Sequence, residues 1–345
     1  MAFRCIRILA QEVAARAWHL RVLHVSNMWP APEMPHFGVF VEAQINSLRR
    51  RGITCEVVHA RRDYLGLRRR TRDALRGGGF DLVHAHFGYT AAIVADVCAR
   101  GRTPLLVSYC GGDVNGEEGR VSRRMRSWIG SVASRLAGFA AAAIIVKTAA
   151  MIERLPRELR HRSEIIPNGV DLDSFVPMDR DRARRSLGWD DQAVVLFGGR
   201  RLDPTKNYQL AEAAVKELAG RGIKAKLIPL EGVPHDQVPV WLGAADVVLL
   251  TSLREGSPNI VKEAMACDSP IVGVPVGDVA WLLSGVANSR LCSYDPKSVA
   301  DGIAEVLAAK AEGGRDRIRA LGLDSDSVAV KLEVLYRKIL RMERR

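Results

Sequence analysis

Short apolar runs rich in β-branched residues alternate along this chain with longer stretches whose apolar positions recur every three or four residues. RVLHVS (21–26), ITCEVVHA (53–60), DLVHAHF (81–87), TPLLVSY (103–109), AAAIIVKT (141–148) and SEIIPNGVD (163–171) read as six strands. FVEAQINSLRRRG (40–52) and YTAAIVADVCARG (89–101) read as helices ending at a glycine. Such alternation predicts a parallel sheet with helices on both faces. The pattern breaks at FVPMDRDRARRSLGW (175–189), which is polar and holds a proline. It then restarts with the strand AVVLFGG (193–199) and the helix NYQLAEAAVKELAGRG (207–222). KAKLIPL (224–230), DVVLL (246–250) and SPIVGV (269–274) follow as strands.

The predicted fold class is α/β: two doubly wound, Rossmann-like domains in tandem, facing across a cleft. The expected boundaries are an N-terminal extension over 1–20, a first domain over 21–176 and a second over 177–325. The amphipathic helix over 326–345 either caps the second domain or crosses back to the first. Ligands of such sheets bind beyond the carboxyl ends of the strands, so the cleft is the expected site. Arg4, Arg7, Glu12 and Arg16 interrupt any signal-peptide core in 1–20.

At 345 residues, 48% of them apolar, there is ample material for hydrophobic cores. The net charge is +12 and uneven: residues 1–178 hold 26 basic and 16 acidic side chains, residues 179–345 hold 25 and 23. A basic first half points to an anionic partner or to a solvated arginine-rich surface. Six cysteines are scattered without a CxxC pair, which fits reduced core residues and a cytoplasmic protein. His84 and His86 share one face of a strand, but no neighbouring carboxylate or cysteine completes a metal site. They read as core or cleft lining, as do His24 and His36. No metal is expected, and no motif for reading nucleic acid is visible.

The densest chemistry lies in REGSPNIVKEAMACDSPIVG (254–273). The strand DVVLL ends just before it, and VKEAMA is good helix. Ser257 suits an N-cap and Pro258 the first helical position. The amides of Asn259 and Ile260 would then point unpaired into the cleft, where a helix start attracts phosphate. Glu263, further along that helix, is placed to accept hydrogen bonds from vicinal hydroxyls. Glu255, before it, is placed to meet a hydroxylated group beyond the phosphates.

EGSPNIVKEAMA resembles the E-x7-E signature of the retaining glycosyltransferases of GT-B-fold family 4. Further pieces resemble that family in its order: NMWPAPEMPHFGVFVEAQINSL (27–48), DLVHAHFGYTAAIVA (81–95), IIPNGVDLDSF (165–175) and GGRRLDPTKNYQLAEAAV (198–215). The resemblance covers about residues 21 to 310. It implies metal-independent transfer of a hexosyl group, with retention, from a nucleoside-diphosphate sugar, and no cofactor. Glu255 matches the acid that contacts the sugar and serves catalysis, and Glu263 the acid that holds the ribose. Arg201 and Lys206 match the basic pair on the diphosphate, with Arg200 a rival for Arg201. Gly38 matches the glycine where backbone approaches the phosphates. Ser257, Pro258, Asn259 and Ile260 form the helix start between the two acids.

One departure is plain. SYCGGDVNG (108–116) carries Tyr109 or Cys110 where many relatives have a histidine facing the sugar or acceptor. Asp113 is the remaining candidate for catalysis on that wall, and it reads equally as a helix cap. The resemblance leaves the acceptor open, a lipid-linked one included, in cell-surface polysaccharide or glycolipid synthesis. RRDYLGLRRRTR (61–72) and GRVSRRMRSWIGSVASR (119–135) mix arginines with apolar residues. They read either as docking surfaces for the inner face of an anionic membrane or as ordinary helices with solvated arginines. Another GT-B enzyme (an epimerase or a disaccharide-phosphate synthase) and a non-catalytic ligand-binding protein are the alternatives.

Overall fold

The computed structural model describes residues 19–111, 121–287, 289–308 and 313–342, without the side chains of 121–129 and 131. The first sheet holds β1 (Arg21–Ser26), β2 (Thr54–His59), β3 (Leu82–His86), β4 (Leu105–Ser108), β5 (Ala143–Val146) and β6 (Ser163–Ile165). The second holds β7 (Ala193–Phe197), β8 (Ala225–Pro229), β9 (Val247–Leu250), β10 (Ile271–Gly273) and β11 (Ser289–Leu291). Their orders are β2-β1-β3-β4-β5-β6 and β11-β10-β9-β7-β8, and every strand pair is parallel. The two sheets thus share one winding. It reverses between β1 and β3 in the first sheet and between β7 and β9 in the second. At such a reversal the outgoing loops part and leave a crevice beyond the strand ends.

Strands β3, β4 and β5 are buried along their whole length. Strands covered on both faces have no solvent side, so they read as continuous apolar runs. One face of the first sheet packs on Tyr64–Gly77, Gly88–Arg100 and Val121–Ala140. The other packs on the helices Val39–Arg50 and Ser325–Met342. The second domain is built around a separate core. The polar stretch between the sheets forms the helix Arg180–Leu187, whose first turn is capped by Asp179 accepting from the Arg182 amide at 2.8 Å.

The chain leaves the first domain after β6 and returns at Leu323–Ser325. The two crossings lie side by side: the Val170 amide donates to the Leu323 carbonyl at 2.9 Å, and the Ser325 amide to the Val170 carbonyl at 2.9 Å. Glycine is required at 169, because a Cβ there would sit 2.8 Å from Ser325 Cα. The returning helix Ser325–Met342 then buries Leu332, Leu335, Tyr336 and Ile339 against the first sheet.

Under that helix lies a cluster of three buried histidines. The β1–β3 register sets His24 opposite His84, so a third ring joins the pair read from β3 alone. One ring nitrogen from each falls within 4.8 Å of the others. Most of these nitrogens are engaged. His84 meets the Tyr336 hydroxyl at 2.7 Å and the Ser108 hydroxyl at 2.8 Å, and His24 Nδ1 meets His86 Nε2 at 3.1 Å. Burial, with Arg49 nearby, lowers His24 to about 3. Burial and the neighbouring rings and Lys147 hold His84 and His86 well below the usual histidine value.

An unfolded histidine titrates at about 6.5, whereas these three stay neutral in the fold well below that. Their contribution to stability is therefore complete above pH ~6.5 and is lost as pH falls beneath it. Urea unfolding from about pH 8 to about pH 5 should show stability dropping below the histidine value; a flat profile would contradict this account. Tyr336→Phe strands a buried ring nitrogen and should cost about 1–3 kcal/mol.

Candidate functional site

The site is assembled from the four loops that follow β7, β8, β9 and β10 at the carboxyl edge of the second sheet and the turn that links the domains. After β7, Gly198 and Gly199 lead into a 3-10 turn, Pro204–Lys206, that is opened by Asp203 accepting from the Thr205 amide at 3.0 Å. This loop is sewn to the one after β9. The Leu253 amide donates to the Thr205 carbonyl at 2.8 Å, and the Thr251 hydroxyl lies 3.0 Å from the Lys206 and Asn207 carbonyls. The register places the Lys206 ammonium 2.6 Å from Glu255 Oε1, both side chains largely covered.

The helix after β9 runs Asn259–Ala266, with Pro258 as N-cap and no side-chain cap. This corrects the expectation for Ser257 and Pro258 by one position. Pro258 holds the cap position, and the Ser257 hydroxyl accepts from the Lys262 ammonium at 3.2 Å. The first amides of the helix, at Asn259, Ile260 and Val261, precede its first internal acceptors. An uncapped helix start with an ammonium beside it is an anion site. Glu255 and Glu263 flank it, each 14–15% exposed at the side chain.

Glu263 has a partner that the local pattern did not reveal. His235, 28 residues earlier, meets Glu263 Oε1 at 3.2 Å and packs edge-on to Phe175 at 5.3 Å. Burial opposes charge on His235. The hydrogen bond and charge of Glu263, with Asp236 and Glu42, outweigh it and raise the pKa. Glu42 belongs to the helix Val39–Arg50 of the first domain, so charge from that domain acts on His235 as well. That helix starts at Gly38, whose φ of +83 is left-handed. A Cβ at 38 would lie 2.6–2.8 Å from the Met28 and Trp29 backbone. Gly38 is therefore fixed by a close approach within its own loop.

The interdomain turn is held by Lys262, which is 1% exposed. Its ammonium donates to the Asn168 carbonyl at 2.7 Å, and Asn168 Nδ2 donates to Asn259 Oδ1 at 3.3 Å. Burial lowers Lys262 to about 8, and Asp278 acts against that fall. The loop bearing Asp278 closes on Glu255–Gly256: the Asp278 amide donates to the Gly256 carbonyl at 3.1 Å. Gly277 (φ +58) would place a Cβ 2.2 Å from that same oxygen.

Of the basic candidates, only Lys206 is turned onto the acids. Arg201 is exposed and lies over the Tyr208 ring at 5.6 Å. Arg200 reaches Asp203 at 3.7 Å. Tyr109 is fully buried and donates to the Ser134 carbonyl at 2.5 Å, so it presents no side chain to the cleft. The Cys110 carbonyl faces Gly256 instead, 3.6 Å from where its Cβ would be. Asp113 lies outside the described residues.

Two family models match this chain: "Glycosyltransferase Family 4" over residues 2–174 and "Glycosyl transferases group 1" over residues 185–309. A D-inositol 3-phosphate glycosyltransferase of Geodermatophilus obscurus is 32% identical over 182 residues, 43% of this chain and 40% of that protein. This chain therefore spans well under two thirds of that relative's length. The enzyme of the same name from Xylanimonas cellulosilytica is 28% identical over 306 residues, 73% of this chain and 71% of that one. A putative teichuronic acid biosynthesis glycosyltransferase of Bacillus subtilis is 27% identical over 59% of this chain and 55% of its own. Among solved structures, the sucrose-phosphate synthase of Thermosynechococcus elongatus aligns with TM-score 0.73 at 17% identity, over 94% of this chain and 100% of that one. Anabaena HepE in complex with UDP aligns with TM-score 0.66 at 17% identity, over 91% and 98%. These likenesses show the fold, the two-domain GT-B arrangement.

His235 is expected to titrate above the usual histidine value by NMR in the ligand-free chain. Glu263→Gln should bring it down, because burial then acts without its main opponent. An unmoved titration in that variant would dissolve the pair.

Proposed function

This chain belongs to glycosyltransferase family 4, and on that premise we propose that it moves a sugar from a nucleoside-diphosphate sugar to an acceptor hydroxyl. The observation that carries the reading is the Lys206–Glu255 contact at 2.6 Å beside an uncapped helix start, with Glu263 further along the helix. In the ligand-free chain, Lys206 and Glu255 neutralise each other. A diphosphate seated on the helix amides would draw the ammonium to itself and leave Glu255 to the sugar. Negative charge grows on the leaving diphosphate in the transition state, and a fixed cation and amides stabilise it without metal. Glu263 would exchange His235 for the ribose hydroxyls. The bound UDP named for Anabaena HepE is consistent with such a donor.

Transfer proceeds with retention in this reading, the acceptor approaching from the first domain on the same face as the leaving group. Asp113 stays a catalytic candidate. Synthesis of a cell-surface polysaccharide or glycolipid, on the cytoplasmic side, fits the teichuronic acid relative. Isothermal titration with UDP, GDP and ADP sugars should identify one donor. Lys206→Met and Glu263→Gln should each weaken it about tenfold to a hundredfold, the worth of one hydrogen bond to a charged group. The product anomer, read by proton NMR, should match that of the donor. Unchanged affinity in both variants would sink the site assignment.

Peripheral membrane contact is the second part of the proposal. No helix among the described residues is long and apolar enough to cross a membrane. In the basic first domain, Leu65 is 84% and Leu136 63% exposed. Leu65 stands among Arg61, Arg62, Arg68 and Arg69. Exposed apolar groups with arginines close by in sequence suit an anionic bilayer surface. Co-sedimentation with vesicles containing phosphatidylserine should be seen at low salt and weaken with Leu65→Ser. Absence of binding at every salt concentration rejects this part alone.

A further inference from the structure

The acid proposed to hold the ribose already has an internal partner. His235 Nε2 lies 3.2 Å from Glu263 Oε1, and the two side chains are 32% and 15% exposed. They come from separate elements of the second domain. Glu263 belongs to the helix Asn259–Ala266, and His235 opens the 3-10 turn His235–Gln237 in the loop after β8. That turn is fixed by Pro234, whose carbonyl accepts from the Gln237 amide at 2.9 Å. Phe175, in the stretch between β6 and the helix Arg180–Leu187, meets the imidazole edge-on with centroids 5.3 Å apart. Backbone and ring packing thus hold the imidazole at the acid.

The surroundings favour a charged imidazole. Burial works against charge on His235, but Glu263, Asp236 of the same turn and Glu42 of the first-domain helix Val39–Arg50 together raise its pKa above the ordinary histidine value. Other charged groups on the elements around it are engaged elsewhere or face water. Lys262, next to Glu263 in the chain, donates to the Asn168 carbonyl at 2.7 Å, and Arg315 to the Phe175 carbonyl at 2.5 Å. Asp171, on the stretch that bears Phe175, accepts from the Asp173 amide at 3.0 Å and the Ser174 hydroxyl at 3.1 Å. Asp173 and Glu231, the latter earlier in the loop after β8, are exposed.

A ribose and a protonated imidazole make the same demand on this carboxylate. Both are hydrogen-bond donors, and two vicinal hydroxyls call for both carboxylate oxygens. With Oε1 given to the imidazole and only 15% of the Glu263 side chain exposed, the two occupants exclude each other. A neutral imidazole can keep its single proton on Nδ1 and release the acid. A charged one donates from both nitrogens and is held by the carboxylate's charge.

We propose that His235 is an autoinhibitory plug on Glu263, and that a nucleotide donor displaces it together with one proton. The inference rests on the glycosyltransferase reading, in which Glu263 takes the ribose. Once the carboxylate turns to the hydroxyls, burial of the imidazole meets weaker opposition, and the imidazolium gives its proton to solvent. No covalent bond to carbon changes. Donor binding and His235 protonation then weaken each other by the same factor. Affinity falls up to about tenfold for each pH unit below the His235 pKa, because one proton leaves per donor bound. Above that pKa the imidazole is already neutral and the penalty is gone.

The test is calorimetric titration of the full chain with UDP-glucose, GDP-glucose and ADP-glucose, whose diphosphate diesters hold a constant charge in this range. Each is run from about pH 5.5 to about pH 8.5 in pairs of buffers that differ in ionisation enthalpy, which counts the protons released. The donor that binds should release up to about one proton in the acid part of the range and almost none at the alkaline end, with affinity rising in parallel. His235→Gln keeps a side-chain N–H for Glu263 but cannot titrate. Its affinity should vary by less than about twofold across the range, with no proton released. By NMR, saturation with the same donor should move the His235 titration of the unsubstituted chain to lower pH, a readout that stands even where the variant fails to fold. Donor binding without proton release overturns the proposal. So does release that survives His235→Gln, or a His235 titration that the donor leaves in place. A chain that binds none of the three nucleotide sugars at any pH counts instead against the glycosyltransferase reading.

Discussion

One buried ammonium sets the geometry of this molecule's cleft. Lys262 donates to the Asn168 carbonyl, 94 residues away, and to the Ser257 hydroxyl. It thereby joins the turn that leaves the first domain to the loop and helix that carry both glutamates. An unpaired charge this deeply buried would be costly, so the ammonium requires its acceptors to stay where they are. Asp278 lies near enough to favour the charged form, and the loop bearing it closes over Gly256. One buried side chain thus holds the interdomain turn to the loop and helix that carry both glutamates.

The same logic operates on the far side of the first sheet. The helix Ser325–Met342 comes from the end of the chain, yet Tyr336 completes the hydrogen bonding of His84. Exposed ion pairs such as Arg51–Glu333 at 2.7 Å add little by themselves, because water screens them. The buried polar contacts matter more through their cost when unmade than through their worth when made. Leucines bury area wherever they pack, whereas His84 accepts only a partner at the right place. The histidine cluster thus makes the docking of the returning helix specific, while apolar burial makes it stable.

Much of the fold and part of the site could be read from local pattern. The inner strands of both sheets appeared as apolar runs because covered parallel strands have no polar face. The one strand not foreseen, β11, is three residues long with two of them exposed, too short and too open to leave a hydrophobic signature. Glu255 and Glu263 were legible because a single loop and helix carry both. The cap was misread by one position, because the helix begins at Asn259 and leaves Pro258, which has no side-chain acceptor, at the N-cap. Arg201 was a reasonable phosphate ligand by order along the chain. Its exposed side chain lies on Tyr208, leaving Lys206 as the cation on the acids. His235 carried no local signal for Glu263, which lies 28 residues further along the chain.

The sequence alone determined the alternation of elements, the two-domain division, the two acids around a helix start and the surplus of positive charge in the first half. Each is a property of neighbours along the chain, or of composition, and needs no knowledge of what lies across a sheet. Only the tertiary structure decided which groups meet: Lys206 with Glu255, His235 with Glu263, and His24 with the β3 pair. The physical reason is that such pairings depend on strand order, on register and on where the chain crosses between domains. Burial then turns those meetings into shifted charges and fixed orientations, which periodicity along the chain cannot encode.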